Sequence, residues 1–289
     1  MPERDSDLRI QAGEWTDGAG THVARRATSW ASTSNFAVVA VAVVVVVIAA
    51  VTSVLLQPGE KPGVTPVAEK TAAIAATASP SADPRPTAVP DSIQHQPENP
   101  GRYVNITIDD GPNPVWTPQV LEVLKEHNVH ATFCMIGPAA KANPDLVRRV
   151  VAEGHRLCDH TVDHDTSMDH KPFSYQKSQI LDALDMIKDA SGGAPVPYYR
   201  APGGAFTPAS RALAAQHGMR PLGWNVDTKD YEQPGVTAIV DTVKNEIANG
   251  PTILFHDGGG DRSQTVQALD QALTWLSAQG YGFSFPKID

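Results

Sequence analysis

From Tyr103 onward, short apolar runs alternate with stretches whose apolar residues recur every three or four positions. The runs are YVNITI (103–108), HATFCMI (130–136), HRLC (155–158), YYR (198–200), RPLGWNV (220–226), TILFH (252–256) and YGFSF (281–285). Their lengths and their β-branched and aromatic content predict strands. The stretches between them predict helices. Thr117-Pro118 reads as a cap followed by Pro at the first helical position, leading through Val120, Leu121 and Leu124. Asn143-Pro144 opens a second helix, closed by Gly154. A third starts at Ser174 and carries Ile180, Leu181, Leu184 and Ile187 at helical spacing. Thr207-Pro208 starts a fourth that ends at Gly218, and two more cover 236–248 and 263–278. Strands alternating with helices over short connections predict an α/β fold with a parallel sheet and helices outside it. Seven such units predict a closed or nearly closed barrel, with an open doubly wound sheet as the alternative.

The first hundred residues follow another pattern. Residues 36–56, FAVVAVAVVVVVIAAVTSVLL, hold 21 residues without a charge. At ~1.5 Å per residue this spans a hydrocarbon core of ~30 Å, and it exceeds the ~7–15 apolar residues of a cleaved signal peptide. A transmembrane helix is expected. Arg25 and Arg26 precede it, and no Lys or Arg follows until Lys61. The positive-inside bias then places residues 1–35 in the cytoplasm as an unstructured tail and the C-terminal part outside. Residues 57–97 are rich in Pro, Ala, Thr and Ser, which predicts a disordered tether. The folded domain is expected at 98–289, at the cell membrane on its extracytoplasmic face.

Composition narrows the partners. The chain has a formal net charge of −9, and residues 98–289 hold 16 Lys plus Arg against 23 Asp plus Glu. That balance opposes a nucleic-acid groove and offers no broad attraction to an anionic membrane surface. No protein partner is implied.

The polar residues with chemical potential fall at the ends of the predicted strands, where parallel α/β folds place their sites. Asp109 and Asp110 follow the first strand in ITIDDGPN, a sequence that by itself also suits a turn. His160 and His164 follow the third in HTVDH. Arg200 ends the fourth in RAPGG, Asp227 and Asp230 follow the fifth in DTKDY, and His256 ends the sixth in ILFH. Two His four apart can converge on one metal, and a carboxylate from another strand completes a two-His-one-Asp set. Such ligands suit Zn²⁺, with Co²⁺ or Ni²⁺ as alternatives, better than Mg²⁺ or Ca²⁺. Side chains alternate along a strand, so one of the adjacent aspartates can bind the metal while the other takes a proton. Asp163 and Asp165 read as solvated loop acids. HDGGGDR (256–262) reads as a flexible rim, because Asp257 and Asp261 oppose a bound phosphate.

Cys134 and Cys158 lie in the second and third strands, which are expected to neighbour each other at ~4.8 Å. With both thiols facing the barrel interior, and Cys158 on the same side as His160, a disulfide is expected; two reduced, buried thiols are the alternative.

Together these motifs resemble the polysaccharide deacetylases of the NodB-homology group, carbohydrate esterase family four. The resemblance covers residues 100–289. It rests on TIDDGP, HTVDH, RAPGG, DTKDY and ILFH in the family's order, with Ile108 in place of the usual Phe, Tyr231 in place of Trp and Ile253 in place of Leu. It implies a distorted (β/α)₇ barrel acting on cell-wall glycan: metal-dependent removal of N-acetyl groups from N-acetylglucosamine or N-acetylmuramic acid units, with chitin oligomers or acetylated xylan as alternatives, and a non-catalytic wall-binding domain as a further one. It implies Asp109 as catalytic base, Asp110, His160 and His164 as metal ligands, and His256 as the acid that protonates the leaving amine. Arg200 would position Asp109 and pair with Asp230 or, second, Asp227. The Gly203 N–H would face the developing oxyanion, Tyr231 would form one groove wall, and Ile253 and Leu254 would shape a pocket for the acetyl methyl. An aromatic residue is common where Gly203 stands, so its absence opens the groove.

Overall fold

The computed structural model describes residues 87–289. The expected tail, the apolar segment 36–56 and most of the tether lie outside the described residues. Among the described residues no helix is long and apolar enough to cross a membrane.

The strands are β1 (Tyr103–Asp109), β2 (Thr132–Met135), β3 (Arg156–Asp159), β4 (Tyr198–Tyr199), β5 (Arg220–Pro221), β6 (Val226–Asp227), β7 (Thr252–His256) and β8 (Gly282–Phe283). All pair in parallel, in the order β5-β4-β3-β2-β1-β7-β6, with β8 on the start of β1. The helices are α1 (Trp116–Glu126), α2 (Gly137–Ala142), α3 (Pro144–Ala152), α4 (Phe173–Ser191), α5 (Pro208–Gln216), α6 (Val236–Glu246) and α7 (Ser263–Ala278). The two edge strands, β5 and β6, are consecutive in the chain and separated only by Leu222, Gly223, Trp224 and Asn225. The sheet therefore curls on itself into the expected (β/α)₇ type of barrel, open along one seam.

That seam corrects the single fifth strand expected over 220–226. Pro221 has no N–H to continue a ladder. A Cβ on Gly223 would lie 2.3 Å from His95 Nε2, so the chain there runs against the upstream segment. That segment belongs to the folded unit although its composition reads as tether. Gln94 N–H donates to Pro221 O at 2.8 Å, Gly223 N–H donates to Gln94 O at 3.0 Å, and Val89 N–H donates to Ala215 O at 3.1 Å. Residues 89–97 thus cover the β5 edge, which would otherwise expose unpaired backbone groups.

Alternation along the strands builds two layers. Val104, Ile106 and Ile108 of β1 join Phe133, Leu157, Ile253 and Phe255 in the core beneath the helices. Asn105, Thr107 and Asp109 are buried on the inner side. There Cys134, Cys158, Tyr198 and Leu222 form a second cluster closed by Ile288. Cys134 and Cys158 occupy directly paired positions of β2 and β3 and are joined by a disulfide, with Cα atoms 4.1 Å apart. Both face the interior, as expected.

Two helix details differ from the pattern. α1 begins at Trp116, before Thr117, and Asn113 Oδ1 accepts from the Val115 and Trp116 N–H groups. The Thr117 hydroxyl is used elsewhere: it donates to Asp257 Oδ2 at 2.6 Å. α2 is an unforeseen element. It approaches α4 closely enough that a Cβ on Gly137 would lie 2.9 Å from Ala183 Cα. By contrast, α5 starts as expected, with Thr207 and Ser210 forming a reciprocal capping box ahead of the helix body.

Candidate active site

The strand register sets one layer across the inner face. Asp109 pairs with His256 on one side and with Cys134 on the other. The expected base and acid therefore sit on adjacent strands at the same height. Asp109 is 2 % exposed, and its Oδ1 accepts from Arg200 Nη1 at 2.7 Å. Its Oδ2 lies 3.5 Å from His160 Nε2 and faces the cleft.

Arg200 is fully buried, and its remaining donors go to Thr107 Oγ1, Leu222 O and Gly223 O at 2.9, 3.1 and 2.9 Å. This corrects the expected pairing of Arg200 with Asp230 or Asp227. The seam between β5 and β6 leaves Leu222 and Gly223 carbonyls turned inward, and they take the guanidinium edge that a second carboxylate would need. Asp227 instead caps the Lys229 N–H at 3.0 Å.

Asp230 meets His256. Its Oδ1 lies 2.7 Å from His256 Nδ1, while its Oδ2 accepts from the His256 backbone N–H at 2.9 Å and from Thr265 Oγ1 at 2.8 Å. Burial opposes a charge on the His256 ring. The Asp230 hydrogen bond and charge, with Asp109 and Asp110 behind it, outweigh that burial and raise its pKa to about 9. At neutral pH the ring is a cation that can give up a proton.

Asp110 departs from simple strand alternation. The chain leaves β1 there with φ 75°, a left-handed conformation that Asp tolerates better than most residues. Its carboxylate thereby turns into the same cleft as that of Asp109 but toward the histidines. Asp110, His160 and His164 each offer a ligand atom, all within 4.8 Å of one another. His160 Nδ1 lies 2.8 Å from Arg200 O and donates to it, which leaves Nε2 as an acceptor facing Asp110. Burial keeps the His160 ring neutral. For Asp110 burial opposes ionisation, but the neighbouring His164, His160 and His256 hold its carboxyl well below the usual range. Asp110 Oδ1 is buried without a hydrogen-bond partner. Two imidazole nitrogens and an orphaned carboxylate oxygen converging on one point fit a divalent cation.

The cleft above these residues has a volume of about 620 Å³. Gly203, Tyr231 and Leu254 line it, as expected. Tyr231 is 43 % exposed, and its ring packs edge-on to His256 at 5.2 Å. Ile253 does not reach the cleft: alternation along β7 sends it into the core beneath the helices. Thr166, Trp224, Gly259 and Arg262 also line the cleft and were not anticipated. Trp224 sits beside the DTKDY motif, and the glycine run GGG was the signal for a close approach at 258–260. The loop is a rim only at its tip, where Gly259, Gly260 and Asp261 are exposed; Asp257 and Arg262 at its two ends are buried at 0 % and 3 % exposure.

Residues 96–222 match the polysaccharide deacetylase family model. Over 188 residues the chain is 39 % identical to the chitooligosaccharide deacetylase of Sinorhizobium fredii (strain NBRC 101917 / NGR234), covering 62 % of this chain and 87 % of that protein. The chain belongs to the polysaccharide deacetylase family. It is also 39 % identical over 191 residues to a peptidoglycan-N-acetylglucosamine deacetylase of Bacillus cereus (strain ATCC 14579), covering 63 % of this chain and 85 % of that one. Among solved structures, the Bc1960 peptidoglycan N-acetylglucosamine deacetylase in complex with a hydroxamate-bearing ligand (4-naphthalen-1-yl-N-oxidanyl-benzamide) superposes with a TM-score of 0.62 at 29 % identity, over 67 % of this chain and 89 % of that chain. The five motifs of this polysaccharide deacetylase all lie at the C-terminal ends of β1, β3, β4, β6 and β7, on the last strand residues or the loops that follow.

Proposed function

We propose that this domain hydrolyses N-acetyl groups of cell-wall glycan, releasing acetate and leaving a free amine on the sugar. The observation that carries the reading is the pairing of two differently tuned groups across the cleft: Asp109 held by Arg200, and a cationic His256 held by Asp230, in register on β1 and β7. Asp110, His160 and His164 are assigned to one divalent metal, with Zn²⁺ favoured by the ligand set and Co²⁺ or Ni²⁺ as alternatives. When bound, such an ion polarises an amide carbonyl and eases deprotonation of water. Asp109 Oδ2 takes the proton of the attacking water while Arg200 holds Oδ1. As the new C–O bond forms and the C–N bond breaks, His256 delivers its proton to the departing nitrogen, and Asp230 orients the ring throughout. Gly203 lends backbone to the carbonyl side of the cleft, Leu254 accommodates the acetyl methyl, and the open faces of Tyr231 and Trp224 suit a sugar ring.

A second reading, deacetylation of chitin oligomers, is favoured by the likeness to the Sinorhizobium protein. Acetate release from N-acetylated peptidoglycan, chitin oligomers and acetylated xylan, each with and without chelator, decides between them. Activity on peptidoglycan that chelation abolishes and Zn²⁺ restores is the expected outcome; full activity of metal-stripped protein would overturn the metal assignment. We further assign residues 36–56 to a membrane anchor that presents the domain outside the cell. Protease added to intact cells freed of wall should then cleave the domain, and cleavage only after lysis would refute that orientation.

A further inference from the structure

We propose that the loop 257–262, between β7 and α7, is a brace that holds Asp110 in the left-handed conformation from which it serves the metal site, with Arg262 as its positioning residue. The inference rests on the metal assignment above. A non-glycine residue at φ 75° persists only where its surroundings over-determine it. Here they do so from several directions. The Asp257 N–H donates to Asp109 O at 3.0 Å, so the loop starts by gripping the residue before Asp110. A Cβ on Gly258 would lie 2.2 Å from Asp110 O and 2.9 Å from Asp110 Cβ. Gly258 does not itself adopt a left-handed φ, so its missing side chain serves this contact and not its own conformation. From the other side, a Cβ on Gly111 would lie 2.2 Å from Asp257 Oδ1, so the two loops interlock on both flanks of Asp110. The Thr117 hydroxyl ties Asp257 to α1.

Arg262 closes the brace. It is 3 % exposed, its Nε donates to Gly258 O at 2.6 Å and its Nη1 donates to Asp261 O at 3.3 Å. Among the described residues it makes no ion pair with a carboxylate. A buried guanidinium that spends two of its donors on carbonyls of its own loop restrains the shape of that loop, and the atom it grips most tightly belongs to the glycine seated on Asp110. Loosening Arg262 or enlarging Gly258 should therefore release Asp110 without touching the other two ligands.

The test is Zn²⁺ binding by the metal-stripped full chain, read by competition with a chromophoric chelator, in the parent and in Arg262→Met, Arg262→Lys and Gly258→Ala. Arg262→Met and Gly258→Ala should bind roughly 10–100-fold more weakly, the range expected for outer-shell partners. Arg262→Lys should fall between them and the parent. Thermal melts of the metal-free variants, unchanged within a few degrees, separate this from general unfolding. If Gly258→Ala does not fold, the two Arg262 variants decide alone. Parent-like Zn²⁺ affinity in Arg262→Met overturns the brace. A parent chain that binds no Zn²⁺ overturns the metal assignment and the brace with it.

Discussion

Asp109 and Asp110 share a peptide bond yet meet different partners, and the reason is a single backbone angle. Asp109 ends β1 in extended form and drops onto Arg200, while Asp110 turns left-handed toward the histidines. Asp109→Asn should therefore lower kcat by roughly 10²–10⁴-fold while leaving metal affinity near the parent's, since only proton transfer is removed. Asp110→Asn should weaken metal binding itself. Equal loss of metal in both, measured by calorimetry, would contradict the division. Asp230 acts through His256, whose pKa of about 9 lies above the ordinary 6.5. The pair's contribution to stability is then fully present below about pH 6.5 and is lost as pH rises through 9. The acid form likewise survives to the same limit, so Asp230→Asn should move the alkaline limb of kcat/KM to lower pH. An unmoved limb in a full pH–rate profile would show that another group titrates there.

Among the elements, β2 and β3 carry the disulfide and β3 leads directly into His160. The bridge closes a loop with a sequence separation of 24 residues, for which chain entropy predicts a contribution of about 3.5 kcal/mol. Replacing both cysteines with Ser should lower the unfolding free energy by about that amount while kcat at temperatures well below the melt stays near the parent's. A denaturant titration alongside kinetics checks this, and a collapse of kcat in a folded variant would place the bridge within the catalytic geometry. The split of the expected fifth strand into β5 and β6 has a different consequence. It creates the seam whose carbonyls hold Arg200, so an apparent defect in the barrel is what fixes the guanidinium that holds Asp109.

For the whole molecule, the boundary of the folded unit matters most. A domain begun at residue 98 lacks Gln94 and leaves the β5 edge uncovered; one begun at residue 87 keeps it. The shorter form should melt several degrees lower and associate more readily through that edge, a comparison for calorimetry and light scattering. Equal melts would reduce the upstream segment to decoration.

The sequence by itself determined the alternation of strands and helices, the strand ends at which the five motifs cluster, and the chemical kinds of group they bring. Those follow from local periodicity and residue chemistry, which are legible one segment at a time. It also put Cys134 and Cys158 on neighbouring strands with both thiols inward, while the register that sets them directly opposite each other came from the structure. Only the tertiary structure decided which partner each polar group takes. Arg200 meets carbonyls from the seam that follows the neighbouring strand β5, and Asp230 meets His256 across the β6–β7 pair. Asp110 is turned by a loop nearly 150 residues downstream of it, and Gly258 matters for the contact it permits. The tether reading of 89–97 failed for the same reason: its composition is that of a solvated linker, and what orders it is an unpaired strand edge that no local pattern records.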